Sequence, residues 1–217
     1  MNQKEKSRQT ADYIINCGID EFAKNGGLVS LNDICKNHNI SKGKLYHHFS
    51  SKEDLLCVCV CYILDKLSDD IYGFEININL TVAENLHNFF MGRIEYWIEN
   101  PNYLTLLRLA YSLNNIIFGE ESQNKIALHK NKWTVNRKKQ FIYMLENCGK
   151  ELKINSEHIA EIFSIMYEYT FQDLERKLTE SAAKGNPDEI CKCSKQLIEY
   201  HDMTVSLILY GALKTDE

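Results

Sequence analysis

Apolar and polar residues follow one another along this chain mainly with the period of a helix. Ala11, Ile14, Ile15, Gly18 and Phe22 recur at steps of three and four and predict an amphipathic helix over residues 4–24, closed by Gly26-Gly27. Ser30 followed by Asp33 is a capping-box start, after which Ile34, Cys35 and His38 share one face of a short helix. Asn39 stands where that helix must reverse with positive φ, a conformation Asn accepts more readily than other residues bearing a side chain, and Ile40 gives the reversal an apolar plug. Ser41 caps a second short helix. At 100° per residue its Leu45 and Phe49 face one way, while Gly43, Lys44 and His47 face the other. One face docks and the other is open to a partner.

Ser50 with Glu53, or Ser51 with Asp54, opens a long helix that apolar residues carry on to about residue 71. Residues 73–80 read as a linker. Thr81 with Glu84 opens the next helix, stopped by Asn100-Pro101. Further helices are expected over 102–118, 123–147, 156–184 and 188–213, with Gly119, Gly149 and Gly185-Asn186-Pro187 as breaks. Two Pro and ten Gly in 217 residues leave little punctuation for strands. The expected class is all-α: a three-helix domain at 1–50, then a six-helix bundle at 51–217.

Composition is that of an ordinary globular chain, 44% apolar and 25% charged. No run of eighteen apolar residues occurs and MNQKEKSRQ has no apolar core behind it, so neither a membrane span nor a signal peptide is expected, and the location is expected to be cytoplasmic. The eight Cys then read as reduced thiols. The net charge of −5 hides an asymmetry. Residues 1–56 carry eight Lys/Arg against seven Asp/Glu, and the remainder seventeen against twenty-three. Between Ile34 and Lys52 stand four Lys, three His and no carboxylate, so the partner of the open helix face is anionic. Two short helices, a tight turn and a basic outward face describe a helix-turn-helix, whose second helix fits the major groove of double-stranded DNA.

The run ISKGKLYHHFSSKEDLL resembles the signature of the TetR family of bacterial transcription regulators, over about Arg8 to Leu56. It departs where Lys44 replaces a frequent small hydroxyl residue and His47 a Tyr, so the family's operators do not carry over. The resemblance implies a homodimeric regulator, most often a repressor, that binds a pseudo-palindromic operator and is released by a small-molecule effector. In that reading Tyr46 and Lys52, with Ser30 at a helix start, contact phosphates; Lys42, Gly43, Lys44 and His47 face base edges, and Ser41 completes the DNA-contacting set. Lys4, Lys6 and Arg8 read as a solvated terminus rather than a phosphate-binding arm.

The body offers materials for an effector pocket, with Trp97, Arg108, Tyr111 and Trp133 the candidates to line it. The last two helices carry apolar rows at Ile159, Ile162, Phe163, Met166 and Phe171, and at Ile190, Leu197, Val205 and Ile208; Leu207 and Leu209 leave the second little polar surface. Such a helix must be covered, and a second copy of the chain is the expected cover. In CVCVCY only Cys57 and Cys61 face together, and two thiolates do not close a zinc site, so no metal is expected. The scattered His residues and the lack of G-x-S-x-G or glycine-rich phosphate loops argue against an enzyme, and no cofactor is expected. The rival readings are a helical small-molecule binder, an enzyme or a co-activator that does not bind DNA.

Overall fold

A computed structural model describes residues 2–147, 152–170 and 172–212. Among them every regular element is a helix, and the all-α class holds. The order is α1 (Gln3–Asn25), a 3-10 turn (Gly26–Leu28), α2 (Leu31–Asn37), α3 (Lys42–His48), α4 (Lys52–Gly73), α5 (Val82–Glu99), α6 (Pro101–Ser112), α7 (Asn114–Ile117), α8 (Glu120–Asn147), α9 (Ser156–Thr170), α10 (Gln172–Ala183) and α11 (Pro187–Ala212). Gly149, Phe171 and residue 213, expected as a break, a core residue and a helix end, lie outside the described residues.

Local chemistry sets most of these boundaries. Ser30 and Asp33 form the expected reciprocal cap, as do Thr81 and Glu84, and Asn2 with Glu5 opens α1 in the same way. Pro101 and Pro187 sit at the first position of their helices, where a missing N–H costs nothing. At the start of α4, Ser51 Oγ accepts the Asp54 N–H while the Asp54 carboxylate accepts from Ser50, which leaves Glu53 for another task.

Three expectations need correction. The body expected to hold six helices holds eight among the described residues, α4 to α11, with α9 and α10 where a single helix over 156–184 was expected. The helix read over 102–118 is interrupted at Leu113, giving α6 and the four-residue α7. Ser112, Asn114 and Asn115 surround the break; their short polar side chains compete with the backbone ladder and weaken helix there. The helix after Gly119 also begins earlier than residue 123. The Glu53 carboxylate accepts the Gly119 N–H and the Ser122 hydroxyl, each at 2.8 Å, and so supplies a cap from sixty-six residues away.

The chain forms two compact units. The first comprises Met1–Leu67 and Asn102–Lys132. Its core is Ile14, Ile19, Phe22, Ile34, Leu45, Leu55 and Ile63, all essentially buried. Gly18 lets α1 and α4 approach closely, because a Cβ there would stand 3.0 Å from Cys59 Sγ. Within this unit α4 and α8 run side by side in the same direction. Glu53 meets Gly119 and Ser122, Cys57 donates to the Ser122 carbonyl, and Asp65 meets His129 at 2.9 Å and Lys132 at 3.7 Å. The second unit comprises Ser68–Pro101 and Trp133–Glu217, in which α11 packs on α5, α9 and α10 around Phe90, Trp97, Leu145, Ile159, Leu178 and Leu197.

Candidate functional site

The turn between α2 and α3 decides where α3 points. Asn39 adopts φ 53°, and Ile40 closes the reversal by donating its N–H to the Cys35 carbonyl at 2.9 Å while burying its side chain. α1 grips this turn from behind. The Tyr13 hydroxyl donates to the His38 carbonyl at 3.2 Å. The buried Glu21 carboxylate accepts from Asn37 Nδ2 at 3.1 Å and Asn25 Nδ2 at 3.0 Å, with His38 Nε2 also 3.1 Å away. A buried carboxylate without donors is costly, so these contacts hold α2 to α1 in one register. Sequence reading missed Glu21, whose spacing in α1 matches the apolar face it shares with Phe22 and Gly18.

On this support Leu45 and Phe49 are buried, and Ser41, Lys42, Gly43, Lys44, Tyr46 and His47 are exposed, with Tyr46 at 52%. The division expected from helical spacing is therefore present. A Cβ built on Gly43 would meet nothing within 4 Å, so the backbone there is approachable from outside. Ser41 Oγ accepts the Lys44 N–H at 3.3 Å as the helix cap, and Ser30 Oγ is engaged with Asp33. Lys52 is half-buried in the first turn of α4. His48 packs partly inward, and burial together with the neighbouring His47 and Lys44 charges holds its pKa below the usual imidazole value. An open groove of about 370 Å³ joins Lys44 to Lys6, Gln9, Thr10 and Tyr13 of α1. The N-terminal lysine at position 6, read from sequence as merely solvated, thus shares a concave surface with the α3 lysine.

The four body candidates do not form one group within either unit. Arg108 and Tyr111 fall in the first, where the Lys130 ammonium lies 4.8 Å over the Tyr111 ring. Trp97 and Trp133 fall in the second and both face Arg93, whose guanidinium lies 5.5 Å and 5.7 Å from their rings. Arg93 also pairs with the Glu175 carboxylate at 3.2 Å. Beside it is a cavity of about 20 Å³, room for roughly one water. Phe90, Phe141 and Phe163 wall it, and Arg93, Lys138 and His201 bring nitrogen to its surface; no carboxylate lines it among the described residues. The His201 ring stacks on Phe90 at 4.0 Å, and burial pushes its pKa down to about 4, so it is neutral at pH 7.

Residues 14–57 match the family model for bacterial regulatory proteins of the tetR family. Over 56 residues the chain is 41% identical to the HTH-type transcriptional regulator UidR of Escherichia coli (strain K12), a match covering 25% of this chain and 29% of that relative's length. Among solved structures, one from Mesorhizobium loti MAFF303099, described as a TetR-family transcriptional regulator, superposes with a TM-score of 0.72 at 16% identity, covering 99% of this chain and 100% of that one. Salmonella enterica GusR superposes with a TM-score of 0.66 at 14% identity, covering 97% and 98%. At such identities the structures speak for the fold, and the segment 14–57 speaks for the family. Residues 14–57 thus match the helix-turn-helix of the TetR family, and the chain as a whole has the fold of solved structures described as TetR-family regulators.

Proposed function

We propose that the protein is a homodimeric, ligand-responsive transcriptional regulator, a repressor that binds a pseudo-palindromic operator and leaves it when a small molecule binds the body. The observation that carries this reading is the exposed face of α3, on which Lys42, Gly43, Lys44, Tyr46 and His47 stand open above the buried Leu45. Lys42, Gly43, Lys44 and His47 face base edges. Tyr46, Lys52, Ser30 and Ser41 serve the phosphates, joined by Lys6 and Tyr13 from the groove on α1. A two-fold dimer sets two such helices about 34 Å apart, one turn of DNA.

The dimer reading is supported by α9 and α11. One face of each is buried through Ile159, Phe163, Leu197 and Val205, while Ile162, Ile165, Met203 and Leu207 remain exposed, Leu207 at 65%. An exposed apolar row on two neighbouring elements is a surface for a second copy. The effector reading rests on the phenylalanine-walled cavity of the second unit, where Arg93, Arg137 and Lys138 suit an acidic ligand. Binding opens that cavity, and to move occupancy from 99:1 to 1:99 the ligand must favour the released state by about 5.5 kcal/mol. This is the work of a binding protein rather than an enzyme.

Fluorescence anisotropy with the DNA flanking the protein's own gene tests the proposal. Salt-sensitive, sequence-selective binding is expected. Lys44→Ala relaxes specificity at one position per half-site, and Lys52→Ala weakens binding to all sequences and lowers the salt slope by about one. Absence of selective binding without effector overturns the reading in favour of a binder or co-activator that does not touch DNA.

A further inference from the structure

Cys57 and Cys61 stand four residues apart on α4, which puts both on one face, and the two thiols share a side-chain hydrogen bond. Both are buried, with 3% and 4% exposure. They face the start of α8, where the Cys57 thiol lies 3.8 Å from the Ser122 carbonyl and the exposed Lys125 ammonium acts on Cys57. Cys59 points the other way and donates to the Ile15 carbonyl at 3.5 Å. Among the described residues no group of three or more His, Cys, Asp and Glu is placed to share an ion, so four-coordinate zinc lacks its ligands. A disulfide fits poorly too. It needs Cβ atoms about 3.8 Å apart, and residues four apart on a helix hold theirs at about 5–6 Å. A sulfur–metal–sulfur bridge is longer than a sulfur–sulfur bond and suits the wider spacing.

We propose that Cys57 and Cys61 form a two-thiolate site for a soft monovalent cation of linear coordination, Cu(I) or Ag(I). Loading breaks two S–H bonds and makes two sulfur–metal bonds; two protons pass to solvent and no electron is exchanged. Thiolate softness selects this class of ion. The number of ligands selects its valence, because two thiolates with no third ligand suit the linear coordination of a monovalent ion. Lys125 attracts the negative charge of the pair, and Asp54 and Asp65 repel it. Burial keeps further ligands out and so favours two-coordination.

The reduced full-length protein is titrated anaerobically with Cu(I) in competition with bicinchoninate. The wild type is expected to withdraw one Cu(I) per chain that Cys57→Ser and Cys61→Ser each lose and that Cys191→Ser, which removes an exposed thiol, retains. Lys125→Met alters only an exposed side chain and leaves the unfolding midpoint in place, yet weakens Cu(I) binding by roughly tenfold. X-ray absorption of the loaded protein shows two sulfur neighbours. Uptake by Cys57→Ser equal to the wild type, a third ligand in the spectrum, or undiminished affinity in Lys125→Met overturns the proposal.

Discussion

The Glu53 carboxylate on α4 accepts the backbone N–H of Gly119 at 2.8 Å. Five residues after α3 ends, the chain thus reaches across to cap α8, the helix that lies along α4 in the first unit. The two hydrogen bonds hold the Glu53 pKa below the ordinary carboxylate value. Because that pKa is depressed in the folded state, the cap stabilises above the ordinary value near 4.5 and is lost as pH falls through the lowered one. Glu53→Ala is expected to lower the melting temperature at pH 7 and to speed hydrogen exchange at the amides of residues 119–123, with a smaller difference from the wild type under acid conditions. Unchanged exchange in those amides counts against the cap.

Gly43 separates stability from recognition. Its Cβ space is empty, so Gly43→Ala strains nothing and is expected to stabilise α3 by up to about 1 kcal/mol through helix propensity. The same methyl stands on the face proposed to meet DNA, where it would hold the backbone away from it. The expected result is a raised melting temperature together with a raised operator Kd. A raised melting temperature with unchanged Kd places the DNA contact elsewhere.

His201 makes the second unit sensitive to mild acid. Its ring is stacked on Phe90, edge-on to Phe163 and 3.2 Å from Asp202 through Nδ1, with His87 and Arg93 the other charged groups acting on it. Burial lowers its pKa from 6.5 to about 4, against the smaller opposing pull of Asp202. The unfolded chain therefore takes up a proton between these values while the folded one does not, and stability falls as pH falls through that window. Between pH 7 and pH 5 this group alone is expected to remove about 2 kcal/mol. Urea unfolding at the two pH values measures it, and His201→Gln is expected to flatten the difference. An equally steep fall in the variant assigns the effect to other groups.

What was legible beforehand was what lies close in sequence. Ser30 with Asp33, Asn39 at the reversal, Ser41 under Lys44 and Thr81 with Glu84 each act within four residues, and the structure shows all of them. The outward face of α3 follows from periodicity alone, since Leu45 and Phe49 are buried and their neighbours are not. Contacts between distant residues left no such pattern. Glu53 with Gly119, Arg93 with Glu175 and Glu21 with Asn37 join helices whose relative placement comes from packing. The same holds for the pocket. Aromatic spacing marked Trp97 and Trp133 but gave no way to see that Arg93 lies between their rings, or that Arg108 and Tyr111 belong to the other unit.

The exposed rows on α9 and α11 bear directly on the symmetry that the DNA reading requires. Met203 and Leu207 lie four apart on one face of α11, at 50% and 65% exposure, and Ile162 and Ile165 lie on α9 at 48% and 53%. Burying such side chains against a second copy is worth about 1.5–3 kcal/mol each relative to water. A charge in that position leaves an unpaired ion at the interface instead. Leu207→Glu is therefore expected to give a folded monomer by sedimentation at concentrations where the wild type is dimeric. Its helical circular dichroism should remain intact, because the Leu207 side chain is mostly exposed on its own chain. Operator binding should fall with dimerisation, since one recognition helix reaches a single half-site. A wild type that sediments as a monomer at micromolar concentration, or a Leu207→Glu variant that still pairs, removes these helices from the interface.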